Sequence, residues 1–173
     1  MGLVDYRKSS IGAEDTLYFL DTKQQATVAA GAVTGGEFHM MFLMADSNSV
    51  ETGGSLETVA DVTQKVQPSE ATYEAITIPY SGLFLKTDPV CTALEKLYRD
   101  RPTGDKSHFY IVEVDKWDEN KAYVADAAIV VTGITNEAAG KRRVEATIGL
   151  ASEWTPVTQT VSIDADEGTL SFT

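Results

Sequence analysis

The side chains that most often carry out chemistry are few in this sequence and lie far apart. Its only cysteine is Cys91, and its only histidines are His39 and His108. A cysteine nucleophile needs a base and a third group that orients the base, and nothing in the sequence points to such a group for Cys91 and His108. Cys91 falls within a predicted helix, so we interpret it as a small buried hydrophobe. His39 lies in an apolar run and is interpreted as a core or interface histidine.

Motifs for metal, phosphate and acyl chemistry are absent or incomplete. No cysteine or histidine pair has the spacing of a zinc site. The acidic segments 115–120 and 164–168 contain fragments of calcium loops without the full ligand spacing. Neither a glycine-rich phosphate loop nor a G-x-S-x-G nucleophile motif occurs, and the scattered carboxylates define no glycosidase pair. We therefore expect a protein that is not an enzyme and that holds no cofactor and no metal.

The length and net charge of the chain limit the number of domains and the kinds of partner that we expect. The chain has 173 residues, which is enough for one domain with a real core. Its 26 acidic and 14 basic residues give a net charge of -12, which argues against tight binding of nucleic acid phosphates or anionic lipid. No segment approaches the ~20 apolar residues of a membrane helix, and the first residues lack the apolar region of a signal peptide. The sequence predicts a cytoplasmic product without a membrane anchor.

Apolar periodicity predicts a mainly β fold with one short α-helix. Asp88 can cap a helix at about residues 89–101, and Pro89 suits its first position. The apolar stripe of this helix, which should pack on the sheet, consists of Val90, Leu94, Leu97 and Tyr98. Strands are predicted at 16–21, 37–45, 74–85, 108–114, 122–134, 142–151 and 157–164, with a turn or loosely packed strand at 26–36. Together, these elements predict a single domain over residues 1–173, with a β-sandwich or barrel-like sheet and the helix packed on it.

The strand at 142–151 alternates most clearly between apolar and polar residues. One side should face the core, with Val144, Ala146, Ile148 and Leu150. The other side should be exposed, with Arg143, Glu145 and Thr147. The preceding strand has Asp126 opposite an apolar row of Tyr123, Ala125, Ala127, Ile129 and Val131. We therefore expect Asp126, Glu145 and Arg143 on one exposed face of the sheet.

Two segments lack a clear core face. Residues 1–16 are interpreted as an N-terminal arm. Residues 46–74 form a long polar loop that contains Gly53-Gly54 and only one basic residue, Lys65, against six acids: Asp46, Glu51, Glu57, Asp61, Glu70 and Glu74. Long loops of this kind are usually functional or disordered. We interpret this one as an extended loop or hairpin arm, and a solvated disordered insert is the alternative.

The order of these parts resembles that of a known family. The residues that carry the resemblance are YSGLFLKTDPVCTALEKLY at 80–98 and SHFYIVEVDKWDENKAYVADAAIVVTGITNEAAGKRRVEATIGLASEWTP at 107–156. They resemble the major tail tube proteins of tailed bacteriophages. Those proteins have a similar length and an acidic arm or loop. They also have one helix after an S-G-L-type turn and then a late run of strands.

The resemblance implies a structural virion protein. Subunits would join edge to edge into hexameric rings, and the rings would stack into the tail tube through which DNA is delivered. The loop reaching the next ring would include Glu51, Gly53, Gly54, Glu57 and Asp61, and the channel wall would include Asp126, Glu145 and Arg143. The implied partners are other copies of the chain, a tape measure protein, a tail terminator, baseplate or tail-tip proteins, and DNA in transit without tight binding. The implied location is the virion tail, after assembly in the host cytoplasm.

Two other classes of function remain open from the sequence. A monomeric β-sandwich could bind a carbohydrate or a protein, and it would present a cluster of exposed aromatic residues near its loops. The two tryptophans, Trp117 and Trp154, are far apart in the chain. A small enzyme with a carboxylate site is the other class, and it would need a pocket that sequence cannot show.

Overall fold

The computed structural model describes residues 16–41, 54–58, 69–73, 76–136 and 142–173. The predicted N-terminal arm lies outside the described residues except for Thr16. Glu51, Gly53 and Asp61 of the predicted inter-ring loop also lie outside them. The segments 54–58 and 69–73 are described for their backbone.

A large antiparallel sheet dominates the described chain and confirms the predicted fold class. Its nine strands are β1 (Thr16–Asp21), β4 (Phe38–Met40), β7 (Thr77–Leu83), β8 (His108–Asp115), β9 (Lys121–Asn136), β10 (Arg142–Leu150), β11 (Thr155–Pro156), β12 (Val161–Asp164) and β13 (Thr169–Phe172). The spatial order is β12-β13-β4-β1-β8-β9-β10-β7, and β11 pairs with β9. The sequence did not predict β11 and β13.

Two small hairpins accompany this sheet. The first pairs β2 (Thr27–Ala29) with β3 (Ala32–Thr34), within the segment predicted as a turn or loose strand. The second pairs β5 (Gly54–Thr58) with β6 (Ser69–Tyr73), inside the predicted loop 46–74, and contains both Gly54 and Glu57. The described part of that loop is therefore a hairpin, one of the two forms that the sequence allowed.

Both faces of the large sheet are packed, and β1, β8 and β9 contribute buried side chains to both faces. On one face, helix α1 (Pro89–Asp100) packs mainly on β9, with further contacts to β10 and β4, and the core there includes Leu94, Ile111 and Ile148. On the other face, a second core joins β1, β4 and β8 to the β2–β3 hairpin, with Phe19, Val33, Phe38, Val112, Val114, Ala122, Val124, Val161 and Leu170. The two layers make the fold sandwich-like, because apolar residues of one sheet are buried on both sides.

Helix α1 begins and packs almost as the sequence predicts. The Asp88 carboxylate accepts hydrogen bonds from the backbone N–H groups of Val90 and Cys91 at 3.1 and 3.3 Å, and Pro89 occupies the first turn. The buried residues are Val90, Cys91, Leu94 and Leu97. Tyr98 was wrongly included in the packing stripe, because it lies at the margin of the interface with 38% of its surface exposed. Cys91 takes the buried position instead.

Strand β9 contains a β-bulge that keeps its long run in register with the core. Glu145 pairs with Gly133 and Ala146 pairs with Val131, so Thr132 is the extra residue. The Thr132 hydroxyl donates to the Glu145 carbonyl at 3.2 Å. Because a bulge shifts the side-chain alternation by one residue, Val131 and Ile134 both pack against the helix-side core.

One fully buried carboxylate fixes the connection from β1 to the first hairpin. Asp21 has 0% of its surface exposed, and it accepts four backbone N–H hydrogen bonds. Its Oδ2 accepts from Gln25 and Ala26 at 2.8 and 2.7 Å, and its Oδ1 accepts from Lys23 and Glu37 at 3.3 and 3.0 Å. A buried charge is tolerated when its hydrogen bonds are made, so Asp21 holds the turn 22–26 and the start of β4 together.

A second acidic residue lies in a partly buried site at the far end of β8. Burial raises the pKa of the Glu113 carboxyl above its ordinary value of 4.5, and the negative charge of Asp115 adds to this, while a hydrogen bond from the Tyr18 hydroxyl opposes it. The folded chain therefore holds this proton more tightly than the unfolded chain does. The contribution of Glu113 to stability should fall as the pH rises from about 4.5 through its raised folded pKa.

The Glu113→Gln variant should abolish this pH-dependent loss. Glutamine keeps an oxygen that can accept from Tyr18, but it carries no charge to bury. We expect little difference from the wild type below pH 4, and a relative stabilisation of the variant that grows to a plateau as the pH rises. Urea unfolding across a pH series measures the difference, with Glu153→Gln as the control on an exposed carboxylate. A difference that stays constant with pH would contradict the stated environment of Glu113.

Candidate assembly surface

An open sheet face lies opposite helix α1. The strands β7, β10 and the second half of β9 turn their helix-distant sides to solvent, and no other described element packs over them. Val130 is 62% exposed there, the largest exposure of any big hydrophobic residue among the described side chains. Pro79, Thr135, Glu145 and Thr147 are also exposed on this face. The face therefore combines an exposed aliphatic side chain with polar groups and a few charges.

Three residues predicted for an exposed face lie on this side of the sheet. Glu145 is exposed, as its alternation with the buried Val144 and Ala146 indicates. Arg143 is half-buried, and its guanidinium donates to the Ser81 hydroxyl of the neighbouring strand at 3.2 Å. Two carboxylates and one guanidinium are therefore present, with Asp126 as the second carboxylate, and the described part of the face is only weakly acidic.

The Asp126 side chain is less exposed to solvent than predicted for a residue of the exposed face. Its Oδ2 lies 2.9 Å from His108 Nδ1, and its side chain is 35% exposed. Its backbone carbonyl accepts from Ala151 and Ser152, and its N–H donates to the Ser152 hydroxyl at 2.9 Å. The residue therefore joins β8, β9 and the end of β10, and it lies at the margin of the open face.

The sheet ends in two edges that no other described strand covers, β7 and β12. Phe84 N–H donates to the Arg142 carbonyl and Leu150 N–H donates to the Ile76 carbonyl, so even-numbered residues of β7 bond to β10. The odd-numbered residues, from Thr77 to Leu83, then direct their backbone groups outward. Pro79 occupies one of these outward positions and supplies no N–H, as the sequence predicts for a proline at a strand edge. The β7 edge thus offers a carbonyl at each outward position but a donor on only some of them.

Cys91, the one cysteine of the chain, is held by hydrogen bonds inside the helix-side core. Burial raises the pKa of the Cys91 thiol to about 12, and a hydrogen bond with Asp88 contributes. The thiol donates to the Leu83 carbonyl at 3.5 Å and accepts from the Leu85 N–H at 3.4 Å. A thiol with a raised pKa is a poor nucleophile, so Cys91 serves packing.

The acidic turn between β12 and β13 also has a structural account. Asp164 Oδ1 accepts from the backbone N–H groups of Asp166 and Glu167 at 3.0 and 3.1 Å, which closes the turn. Among the side chains that the structure describes, no group of three or more acidic, histidine or cysteine residues could hold a metal ion. His39 is partly buried, with Nε2 3.9 Å from Glu37 Oε2.

Comparison with known proteins adds no relative. The sequence matches no protein-family model, and it matches no curated protein. Within the described part of the chain, no helix has both the length and the apolar character needed to cross a membrane.

Two features of the structure were not predicted from the sequence, the buried Asp21 carboxylate and a cleft beside α1. Asp21 is the last residue of β1, and its role depends on four backbone N–H partners that no sequence motif places beside it. A cleft of about 720 Å³ beside α1 is lined by Lys23, Lys96 and Lys106 together with apolar side chains. These lysines come from three separate segments, so no local motif could have joined them. Lys96, on the polar side of α1, is the one of these lysines that lies on a predicted helix.

Proposed function

We propose that this chain is a structural subunit that assembles edge to edge into hexameric rings, which stack into the tube of a phage tail and conduct DNA. The observation that carries the proposal is the open face of β7, β9 and β10, which lies beside an uncovered sheet edge. Open edges tend to pair with other chains, and closure of a sheet across subunits removes them. The number six comes from the resemblance to tail tube proteins.

The chemical character of the open face supports a channel wall rather than a binding site. A channel for DNA must avoid clusters of lysine and arginine, because neutralising phosphates releases counterions and drives binding. Among the residues that the structure describes on this face, Arg143 is the one cation, and its guanidinium donates to the Ser81 hydroxyl. The net charge of -12 also disfavours binding of the whole subunit to DNA phosphates.

The proposal includes the partners and location of such a tube. The subunits would enclose a tape measure protein during assembly and DNA afterwards, without tight binding to the DNA. A tail terminator would close one end, and baseplate or tail-tip proteins would close the other. The protein would be part of the virion tail, would assemble in the host cytoplasm, and would act without a cofactor or a membrane anchor.

Replacing Glu145 with lysine should make the channel retain DNA. The residue is exposed, so the substitution should change the free energy of unfolding by no more than about 0.5 kcal/mol. Repetition around every ring would convert one substitution into a positive band inside the tube. We expect tubes polymerised with short duplex DNA to hold nuclease-protected DNA in the variant and little in the wild type, and the retained amount should fall as salt is raised.

The matched control is Glu37→Lys, which makes the same charge change on the exposed residue that precedes β4, away from the open face. It should leave protected DNA at the wild-type level. Nuclease protection separates DNA inside the tube from DNA bound to its outer surface. Glu145→Lys tubes that protect no more DNA than wild-type tubes would show that this face does not line the channel.

A further inference from the structure

The lysine-lined cleft lies at one end of the strands β1 and β8. Its lining includes the buried Leu97 and Phe109 and three lysines, Lys23, Lys96 and Lys106. Lys23 Nζ also lies 3.9 Å from Glu37 Oε2. Asp100 also lines the cleft. In a chain with a net charge of -12, this is a local concentration of positive charge. Its volume of about 720 Å³ lies in the range of sites that enclose a large side chain or a small ligand.

The walls of the cleft are held in place before anything binds. Asp21 fixes the turn 22–26 through its backbone hydrogen bonds. The Gln24 side chain donates to the carbonyls of Lys106 and His108 at 3.1 and 2.7 Å, which ties this turn to the start of β8. A preformed cleft loses little conformational freedom on binding, and this favours association.

The opposite end of the same strands carries a complementary surface. The β8–β9 turn contains a 3-10 helix at Lys116–Asp118, and its Trp117 is 53% exposed. Asp115, Asp118 and Glu119 flank this tryptophan in the sequence, as does the exposed Lys116, and Lys121 pairs with Asp118 at 3.5 Å. The β12–β13 turn projects toward the same end, because Gly168 accepts from Met40 N–H, and it adds three exposed acids: Asp164, Asp166 and Glu167.

The two surfaces therefore lie at opposite ends of one strand. Lys106 precedes the first residue of β8, and Trp117 follows its last residue. Eight strand residues span roughly 25 Å. A contact between the two ends cannot form within one copy. Between copies, the contact joins a different surface on each copy. The cleft of one copy and the tryptophan turn of the other stay free, so further copies can add along the strand direction as an open-ended stack.

We infer that the Trp117 turn of one copy docks in the lysine-lined cleft of the next copy, and that this contact stacks subunits along the strand direction. The indole would cover the apolar lining at Leu97 and Phe109, and the lysines of the cleft would contact its face and the acids beside it. Tryptophan anchors commonly dominate the energy of such contacts. The inference rests on the proposed tube, for which it supplies the contact between successive rings.

The contact can be tested with one variant for each surface. Trp117→Ala removes the anchor, and the double variant Lys96→Glu, Lys106→Glu reverses the charge of the cleft. All three residues are exposed, so the fold should be retained. In sedimentation velocity, each variant alone should need about a 30-fold or higher concentration than the wild type to stack. Lys86→Glu, an exposed charge reversal that does not line the cleft, should stack like the wild type.

Mixing the two variants gives a sharper result. Trp117→Ala keeps an intact cleft and the double variant keeps an intact tryptophan turn, so one contact can form and no further growth is possible. The mixture should therefore stop at twice the size of either variant alone. Stacking of either variant at the wild-type concentration would overturn this contact while leaving the proposed tube intact. A wild-type protein that never associates would instead contradict the proposed function itself, and a small anionic ligand would then be the occupant to test.

Discussion

Replacing Asp21 with alanine should destabilise the folded protein by about 3–5 kcal/mol, which is a large part of the total stability of a domain this size. The wild-type carboxylate accepts four backbone N–H hydrogen bonds and is fully buried. Alanine leaves these N–H groups without their acceptor. Guanidinium-induced unfolding, followed by circular dichroism, measures the free energy of unfolding of both proteins.

Two further substitutions separate the role of the hydrogen bonds from that of charge alone. Asp21→Asn keeps one oxygen, but its amide N–H₂ must face a pair of backbone N–H groups, so it should recover only part of the loss. Asp105→Ala removes an exposed carboxylate from the segment that precedes β8 and should change the free energy of unfolding by no more than about 0.5 kcal/mol. If Asp21→Ala were as mild as Asp105→Ala, the account of the turn 22–26 would be wrong.

Replacing Ile148 with aspartate should prevent the chain from folding. Ile148 has 0% of its surface exposed and packs in the core beneath α1. The substitution removes a large apolar side chain and buries a carboxylate that has no partner there. Burial of an unpaired charge costs many kcal/mol, which is comparable to the whole stability of a domain. We expect no cooperative unfolding transition at neutral pH.

The neighbouring residue provides the matched control. Thr147 lies one position earlier on the same strand and is exposed on the open face. Thr147→Asp introduces the same carboxylate and should leave a cooperative transition with nearly the wild-type midpoint. A folded Ile148→Asp protein, or an unfolded Thr147→Asp protein, would show that the facing assigned to β10 is wrong.

Local pattern was enough to predict most elements of the fold. The alternation of β10 predicts which residues are buried, and Val144, Ala146 and Ile148 are buried in the structure. The start of α1 follows from Asp88 and Pro89, whose roles depend only on residues within one turn. In each case, the physical cause lies within a few residues of the chain.

The features that sequence did not predict depend on contacts between distant segments. The strand order, in which β4 lies between β1 and β13, cannot be deduced from the composition of any one strand. The strand predicted at 37–45 is described only as β4, at Phe38–Met40, and residues 42–45 lie outside the described chain. Tyr98 has the helical spacing of a buried residue, but 38% of its surface is exposed, because burial depends on what the distant strands place beside it.

The central claim is that this chain closes its sheet edges by assembling into a tube. Negative-stain electron microscopy of the purified wild-type protein, over a series of concentrations in low and high salt, tests this claim most directly. The account predicts rings at low concentration and tubes with a central channel at high concentration, with six subunits in each ring. Monomers without rings or tubes at every concentration and in both salt conditions would contradict it.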